Sequence, residues 1–540
     1  MAHGVSSGQS RRLHLGGLVI LTGLLLWTAP PSAAQPTGPA AAPPPAAEPP
    51  AWLAARMLPP PAERRLGLLE TLELALEHDP NIALVEANLD SARGNLEIAR
   101  SDFDLLLSGD ANAGRDRDAD PDVEFFDAGI AAGQRLRSGL QISSSVDLSR
   151  LAEVGGETAN NGALSITLRQ PLLRGRGRDV VTTAEQIAEI ELVATRDDLE
   201  QQVATRLRAI AGFYWSYLSA ADNLEILEDT ENQSRRFLDN TRRLVDADLT
   251  PAADLVQLEA NLLSRQLSRR AGERRLVEAR QELGREIGLS AEEILALPLP
   301  GDPYPPLDPE AAPGLEQVPA YLELARESRA DLRGGRRRLE EDRLQLRFLE
   351  NALKPQLDLL VTPGYANTFG GEGFGDFFSP LFRNLPGLST TVGLAWSIAP
   401  RNRLARGKLA VQEANLRRGE LALERIELQI GADLPTAIND LAYSAEQLAG
   451  SLEALELFRR ALDNEEKKLR AGSSTLIDVL NQQDALIAAR QRVNDSRLSL
   501  ALALLRLRYE TGTLIAAPAE DGEPARILAA AFMTLPQLSR

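Results

Sequence analysis

The chain has 540 residues, a formal net charge of −18 and no cysteine. The acidic balance excludes a nucleic-acid phosphate binder, which needs a basic face. The missing cysteine excludes disulfides, thiolate zinc sites, cysteine nucleophiles and a lipid-modified N-terminal cysteine. With three histidines in all (His3, His14 and His78), a His-based metal site or a Ser-His-Asp triad can hardly be built. Aromatics at 4% and apolar residues at 44% suit long aliphatic helices better than a sandwich. No catalytic residue, metal or cofactor is expected.

Residues 1–34 read as a signal peptide. Arg11 and Arg12 form a basic start, Leu13 to Trp27 an apolar run, and Ser32-Ala33-Ala34 the small residues before cleavage. The alternative, a membrane anchor, is disfavoured because the run is short. Removing the segment takes the charge from −18 to −20. Residues 35–67 are a Pro/Ala-rich flexible N-terminal extension; 12 prolines lie between Pro30 and Pro61. No later stretch of 18 apolar residues exists, so any membrane entry is by strands.

A first repeat occupies 68–288. It opens with an amphipathic helix at about 70–101, followed by a region of β-hairpin character at about 103–173. Leu164, Ile166 and Leu168 alternate there with Ser165, Thr167 and Arg169. A very long helix follows at about 180–246, then a tight break at Thr250-Pro251 and a returning helix to Gly288. Residues 289–319 form a Pro-rich linker, with 8 prolines between Pro298 and Pro319. Its plain reading is a spacer; its sharper reading is a joint between two copies of one unit.

The second repeat, 320–515, has the same parts: a helix at about 320–351, strands at about 356–399, a long helix at about 402–470 and a return to Gly512. Residues 516–540 form a C-terminal tail. Asp254 and Asp478 are 224 residues apart, as are Gly288 and Gly512, Leu262 and Leu486, and Leu283 and Leu507. The helix openings at Leu74 and Leu324 align at an offset of 250. Leu434, Leu441, Leu448, Leu455, Leu462 and Leu469 make an unbroken heptad seam. These matches indicate an internal duplication.

About four spanning strands are expected per chain. Four cannot close a barrel, and open strand edges cannot face lipid. Several chains must then share one barrel; the alternative is a small soluble sheet.

Four passages resemble the TolC-like outer-membrane efflux family. They are Leu72 to Leu76 with Asp79-Pro80, Gln170 to Gly175, Phe213-Tyr214-Trp215, and Ala471 to Leu480, the last matching a helix-tip motif. The resemblance covers about residues 68–515. It implies a mainly α fold with a transmembrane β part: a homotrimer whose 12-stranded β-barrel continues into a 12-helix periplasmic α-barrel tunnel. It also implies a passive exit duct of a tripartite efflux or type I secretion system, not an enzyme. Its partners would be a periplasmic adaptor (membrane fusion) protein, an inner-membrane RND or ABC transporter and outer-membrane lipid.

By the same resemblance, the adaptor-contacting tips are Leu249, Thr250, Pro251, Gly472, Ser473 and Ser474. The periplasmic constriction falls on Asp254, Gln257, Asp478 and Asn481. From the residues alone, Thr250 or Ser474 would cap the returning helix, and the two aspartates would favour its dipole. Neutral Gln257 and Asn481 argue against a strongly cation-selective gate. Arg242, Arg243 and Arg470 are candidates for closing ion pairs. Trp396 and Phe374, Phe377, Phe378 and Phe382 would sit at the membrane interface, plug the outer mouth or pack within a loop. Arg174, Arg176, Arg178, Arg401 and Arg403 fall where strand becomes helix. The competing function is a periplasmic coiled-coil adaptor or structural envelope protein; an exported hydrolase finds no paired carboxylates to support it.

Overall fold

The structure, a computed structural model, describes residues 64–117, 122–153, 156–247, 253–382, 389–515 and 529–538. The expected signal peptide and most of the N-terminal extension lie outside these residues. Each half opens with a pair of helices: α1 (Leu68–His78) and α2 (Pro80–Ser101) in the first. Four strands follow: β1 (Leu106–Asp116), β2 (Val123–Arg135), β3 (Gln141–Glu153) and β4 (Thr158–Pro171). The 64-residue α3 (Thr183–Asp246) and α4 (Ala253–Ile287) complete the half. The second half runs α5 (Val318–Ser328), α6 (Ala330–Ala352), β5 (Gln356–Gly370), α7 (Phe374–Phe382), β6 (Ser389–Ser397), the 68-residue α8 (Arg403–Arg470) and α9 (Leu476–Glu510).

The opening helices are each broken once, where the sequence reading had one continuous helix. In the first half the break is legible. The ring of Pro80 clashes with a helical Asp79, so Asp79 turns extended and its carboxylate accepts the Asn81 amide at 2.9 Å. In the second half no proline marks the break at Arg329. It is held instead by ion pairs from Arg329 to Glu510 (2.8 Å) and Asp331 (2.7 Å).

The two breaks meet the two glycines that are 224 residues apart. Gly288 and Gly512 both have positive φ, +91° and +69°. A Cβ on Gly288 would lie 2.4 Å from the His78 carbonyl oxygen, and one on Gly512 2.8 Å from the Arg329 amide nitrogen. Each glycine also closes a Schellman turn: Leu289 N–H to Gly284 O (2.9 Å) and Thr513 N–H to Arg508 O (2.9 Å). The same knot therefore ties the returning helix to the opening helices in both halves.

The sheet is corrected from about four strands to six. All six are antiparallel neighbours in the order β1-β2-β3-β4-β5-β6. The extra hairpin lies in the first half, where a turn closes Leu136 N–H on Leu140 O at 2.8 Å. A twelve-strand barrel from three copies does not follow from this chain. Register separates the two faces cleanly. One carries Asp110, Asp127, Asp147, Ser145, Ser165 and Thr167; the other Ile130, Val146, Leu164, Ile166, Val392 and Leu394.

The helices line up in four columns. α2 and α4 run along α3, α6 and α9 pack between α3 and α8, and α8 is the far edge. At 1.5 Å per residue α3 and α8 are each roughly 100 Å long. The Pro-rich segment belts this rod at its waist. Trp215 stacks on Tyr304 at 5.6 Å, Tyr217 Oη donates to Pro298 O (3.2 Å) and Tyr214 Oη to Leu66 O (3.0 Å). Leu66 pairs with the segment as a short parallel bridge, and Phe532, from the last described stretch, is fully buried in the same core.

An arginine–carboxylate lattice joins α3 to α6. Arg333 reaches Asp197 (3.2 Å) and Glu200 (2.5 Å), Arg337 reaches Asp197 (2.7 Å), and Arg338 reaches Glu191 (3.4 Å) and Asp198. Glu341 is the surplus acid: burial, then the neighbouring Glu191 and Asp342, push its carboxyl up to about 7.

Two outcomes follow from this packing. Gly288→Ala or Gly512→Ala should each cost about 1–3 kcal/mol in a denaturation curve, because a left-handed φ and a backbone contact are both violated; unchanged midpoints would refute the knot. Glu341 is protonated in the folded protein where the unfolded chain has already ionised. It thus stabilises at pH values below its ordinary range, and that contribution is lost as pH rises through about 7. Glu341→Gln should therefore melt higher than the wild type at pH 8 but not at pH 4; parallel profiles would refute this.

Candidate functional site

Two regions are candidates: the tips of the long hairpins and the polar face of the sheet. Leu249, Thr250 and Pro251 lie outside the described residues, as does the side chain of Asp254. The second tip is described in full. Gly472 has φ +74° and ends α8 with a Schellman pair, Ser473 N–H to Lys468 O (2.9 Å) and Gly472 N–H to Leu469 O (3.0 Å). Glycine is needed there because the left-handed conformation strains a side chain.

The cap of α9 is Thr475, correcting Ser474. Its hydroxyl donates to Asp478 Oδ2 (2.6 Å), its amide to the same oxygen (3.1 Å), and the Asp478 amide donates back to Thr475 Oγ1 (3.3 Å). This is a capping box. Ser474 instead donates to Glu465, across the turn on α8. The Thr475 hydroxyl and amide hold the Asp478 carboxyl below the usual aspartate range, so it is ionised at neutral pH.

Asp478, Asn481 and Gln257 are exposed, while Val479 and Leu480 beside them are buried. Leu258 of α4, Leu480 of α9 and Leu238 of α3 form a small apolar core that joins the two hairpins near their tips. Arg265 of α4 pairs with Asp484 of α9. Of the arginines expected to close ion pairs, Arg242 is engaged by Glu259 (2.9 Å) and Arg470 by Glu466 (3.4 Å).

At the other end, the polar face of the sheet carries Asp110, Asp127 and Asp147 around Gly129, which the alternation of β2 and β3 could have shown. Nearer the helices, Arg169 pairs with the buried Asp358 at 2.5 Å. Of the basic residues at the strand-to-helix switch, Arg174 reaches Gln356, and the adjacent Gly175 amide donates to Asn351 Oδ1 at 2.8 Å. Trp396 stands on the apolar face and is 73% exposed. Among the described residues, no helix is long and apolar enough to cross a membrane.

Comparison with known proteins decides what this geometry belongs to. The profile of the family described as outer membrane efflux protein matches residues 71–289 and 321–513, one match per half. The chain belongs to the outer membrane efflux protein family. It is 25% identical over 477 residues to protein CyaE of Bordetella pertussis, covering 87% of this chain and 89% of that one. It is 20% identical over 364 residues to outer membrane protein TolC of Escherichia coli, covering 67% and 71%. Its fold is that of the outer membrane protein VceC from Vibrio cholerae, at a TM-score of 0.60 and 16% identity over 82% of this chain and 96% of that one.

This member of the family is an outer-membrane channel with a large periplasmic part. The apolar face of its sheet is the lipid side and the polar face the lumen. The gap between the two profile matches is the proline belt.

Thr475→Ala removes the cap and should destabilise the first turn of α9 by about 1 kcal/mol. Faster hydrogen exchange of the amides at 476–479, with exchange at the middle of α9 unchanged, is the expected readout.

Proposed function

We propose that three copies of this chain close a single passive exit duct, gated at the periplasmic hairpin tips and docked there onto an adaptor that links it to an inner-membrane transporter. The observation that carries this reading is the shared lateral order of the two parts. In the sheet the free edges are β1 and β6. In the rod the outer columns are α2 with α4 on one side and α8 on the other. β1 follows directly on α2, and β6 leads directly into α8. One edge of the chain is thus β1 above α2 and α4, and the other is β6 above α8. Copies placed side by side extend the strands and the helices together.

The edge helices also carry the apolar surface such contacts need: α8 exposes Leu404 (74%), Leu428 (68%) and Tyr443 (65%), and α4 exposes Val256 (70%). Three copies then give twelve helical columns and eighteen strands. A barrel of about this size leaves an aqueous channel.

At the tips, Asp478 with neutral Gln257 and Asn481 makes a weakly anionic constriction, joined by Asp254. Gly472, Ser473 and Ser474, with Leu249, Thr250 and Pro251 of the other hairpin, form the adaptor-facing surface. The substrate class is set upstream by the transporter, which is either of the RND or of the ABC type.

The chain has no cysteine, so engineered pairs are clean probes. Ser108→Cys on β1 combined with Ala395→Cys on β6, treated with a short thiol cross-linker in outer-membrane fractions, should give a ladder ending at three chains. A single-chain band alone would refute lateral closure through these edges. In planar bilayers, Asp478→Asn should weaken cation preference modestly while leaving the trimer intact.

A further inference from the structure

Helix α7 joins β5 to β6 at the end of the sheet away from the long helices. Its nine residues, FGDFFSPLF, carry four phenylalanines and one charge. It does not lie across the lumen. Phe377 is 5% exposed and its ring meets Phe126 at 5.1 Å. Tyr365 Oη donates to Pro380 O at 2.8 Å. Gly162 leaves room for the helix: a Cβ there would lie 2.8 Å from Pro380. Phe126, Gly162 and Tyr365 all belong to the apolar register face, the face of Leu164 and Leu394. The helix is therefore packed on the outer wall.

Its other side is bare. Phe374 is 83% exposed, Phe382 77% and Phe378 38%. Phe374 and Phe378 contact each other edge to face at 5.6 Å, and Phe382 follows four residues on, on the same side of the helix. The single charge is engaged by backbone: Asp376 accepts the Gly373 amide at 3.0 Å, at the start of the helix. A patch of this composition facing water is costly. It is continuous with a wall that already faces lipid, and aromatic side chains collect at that depth in outer-membrane barrels.

We infer that α7 is a membrane-interface helix: it braces the outer wall at the distal rim and inserts Phe374, Phe378 and Phe382 among the acyl chains of the outer leaflet. The occupant of the patch is lipid, because the surface it extends is lipid-facing and no charge on the patch addresses a polar partner. The rim is then anchored by a helix that has no counterpart among the described residues of the other half.

The absence of cysteine makes the test direct. Phe374→Cys and Phe382→Cys, each nitroxide-labelled in the full trimer, are reconstituted in phosphatidylethanolamine–phosphatidylglycerol vesicles. Collision rates with oxygen, which partitions into lipid, and with a water-soluble nickel chelate are compared. Leu394→Cys serves as the wall reference and Ser145→Cys as the lumen reference. Both α7 sites should show an oxygen-to-nickel ratio several-fold above that of Ser145→Cys, at a depth nearer the headgroups than Leu394→Cys. A ratio matching the lumen site would overturn the inference. Exclusion of both reagents would also overturn it, since the patch would then be covered by protein. If Leu394→Cys and Ser145→Cys do not differ, the assignment of the two faces fails, and the inference with it.

Discussion

An unpaired strand edge cannot stand in hydrocarbon. Each bare amide or carbonyl there costs several kcal/mol, and β1 and β6 each present a row of them. Pairing the edges with those of another copy removes that cost, and much of the rest of the chain is arranged so that this is possible. The helical columns repeat the lateral order of the strands, so closing the barrel also closes the rod beneath it. The apolar residues left exposed on α8 and α4 are the surfaces this closure would cover.

The duplication is kept where the chain is tied and relaxed where it is free. Gly288 and Gly512 make the same turn against the same break in the opening helices. A side chain at either would strike backbone. The strands obey a weaker rule. An antiparallel hairpin enters and leaves on the same side, so one more hairpin preserves the topology whereas one more strand would not. Among the described residues the first half accordingly holds four strands and the second two, and α7 stands between β5 and β6 of the second. The added hairpin widens the sheet without moving either long helix.

Among the described residues, charge lies along the chain as well as at the tip. Aspartates line the polar face of the sheet, and arginines and carboxylates interlock α3 with α6. At the described tip, Asp478 is turned into the capping box of its own helix. Its charge is retained, but its hydrogen-bonding capacity is partly spent on local structure. Gln257 and Asn481 add none.

Much of this could be read in the sequence. Periodicity marked the long helices to within a few residues, because a heptad series such as Leu434 to Leu469 has no other economical packing. Repeated spacing revealed the two halves, and alternation revealed the strands and their faces. The phenylalanines of α7 had helical spacing too, but their side of the sheet depended on Gly162 and Tyr365, far away in the chain. The second break, at Arg329, had no proline to announce it and rests on Glu510. Strand number was hidden because β1 and β2 are rich in Gly, Ala and Asp, and only their pairing with β3 makes strands of them. Local pattern thus determined what each segment is. Contacts between segments distant in sequence decided how many strands pair, which helix is interrupted and where α7 lies, since those outcomes depend on partners that no window of sequence contains.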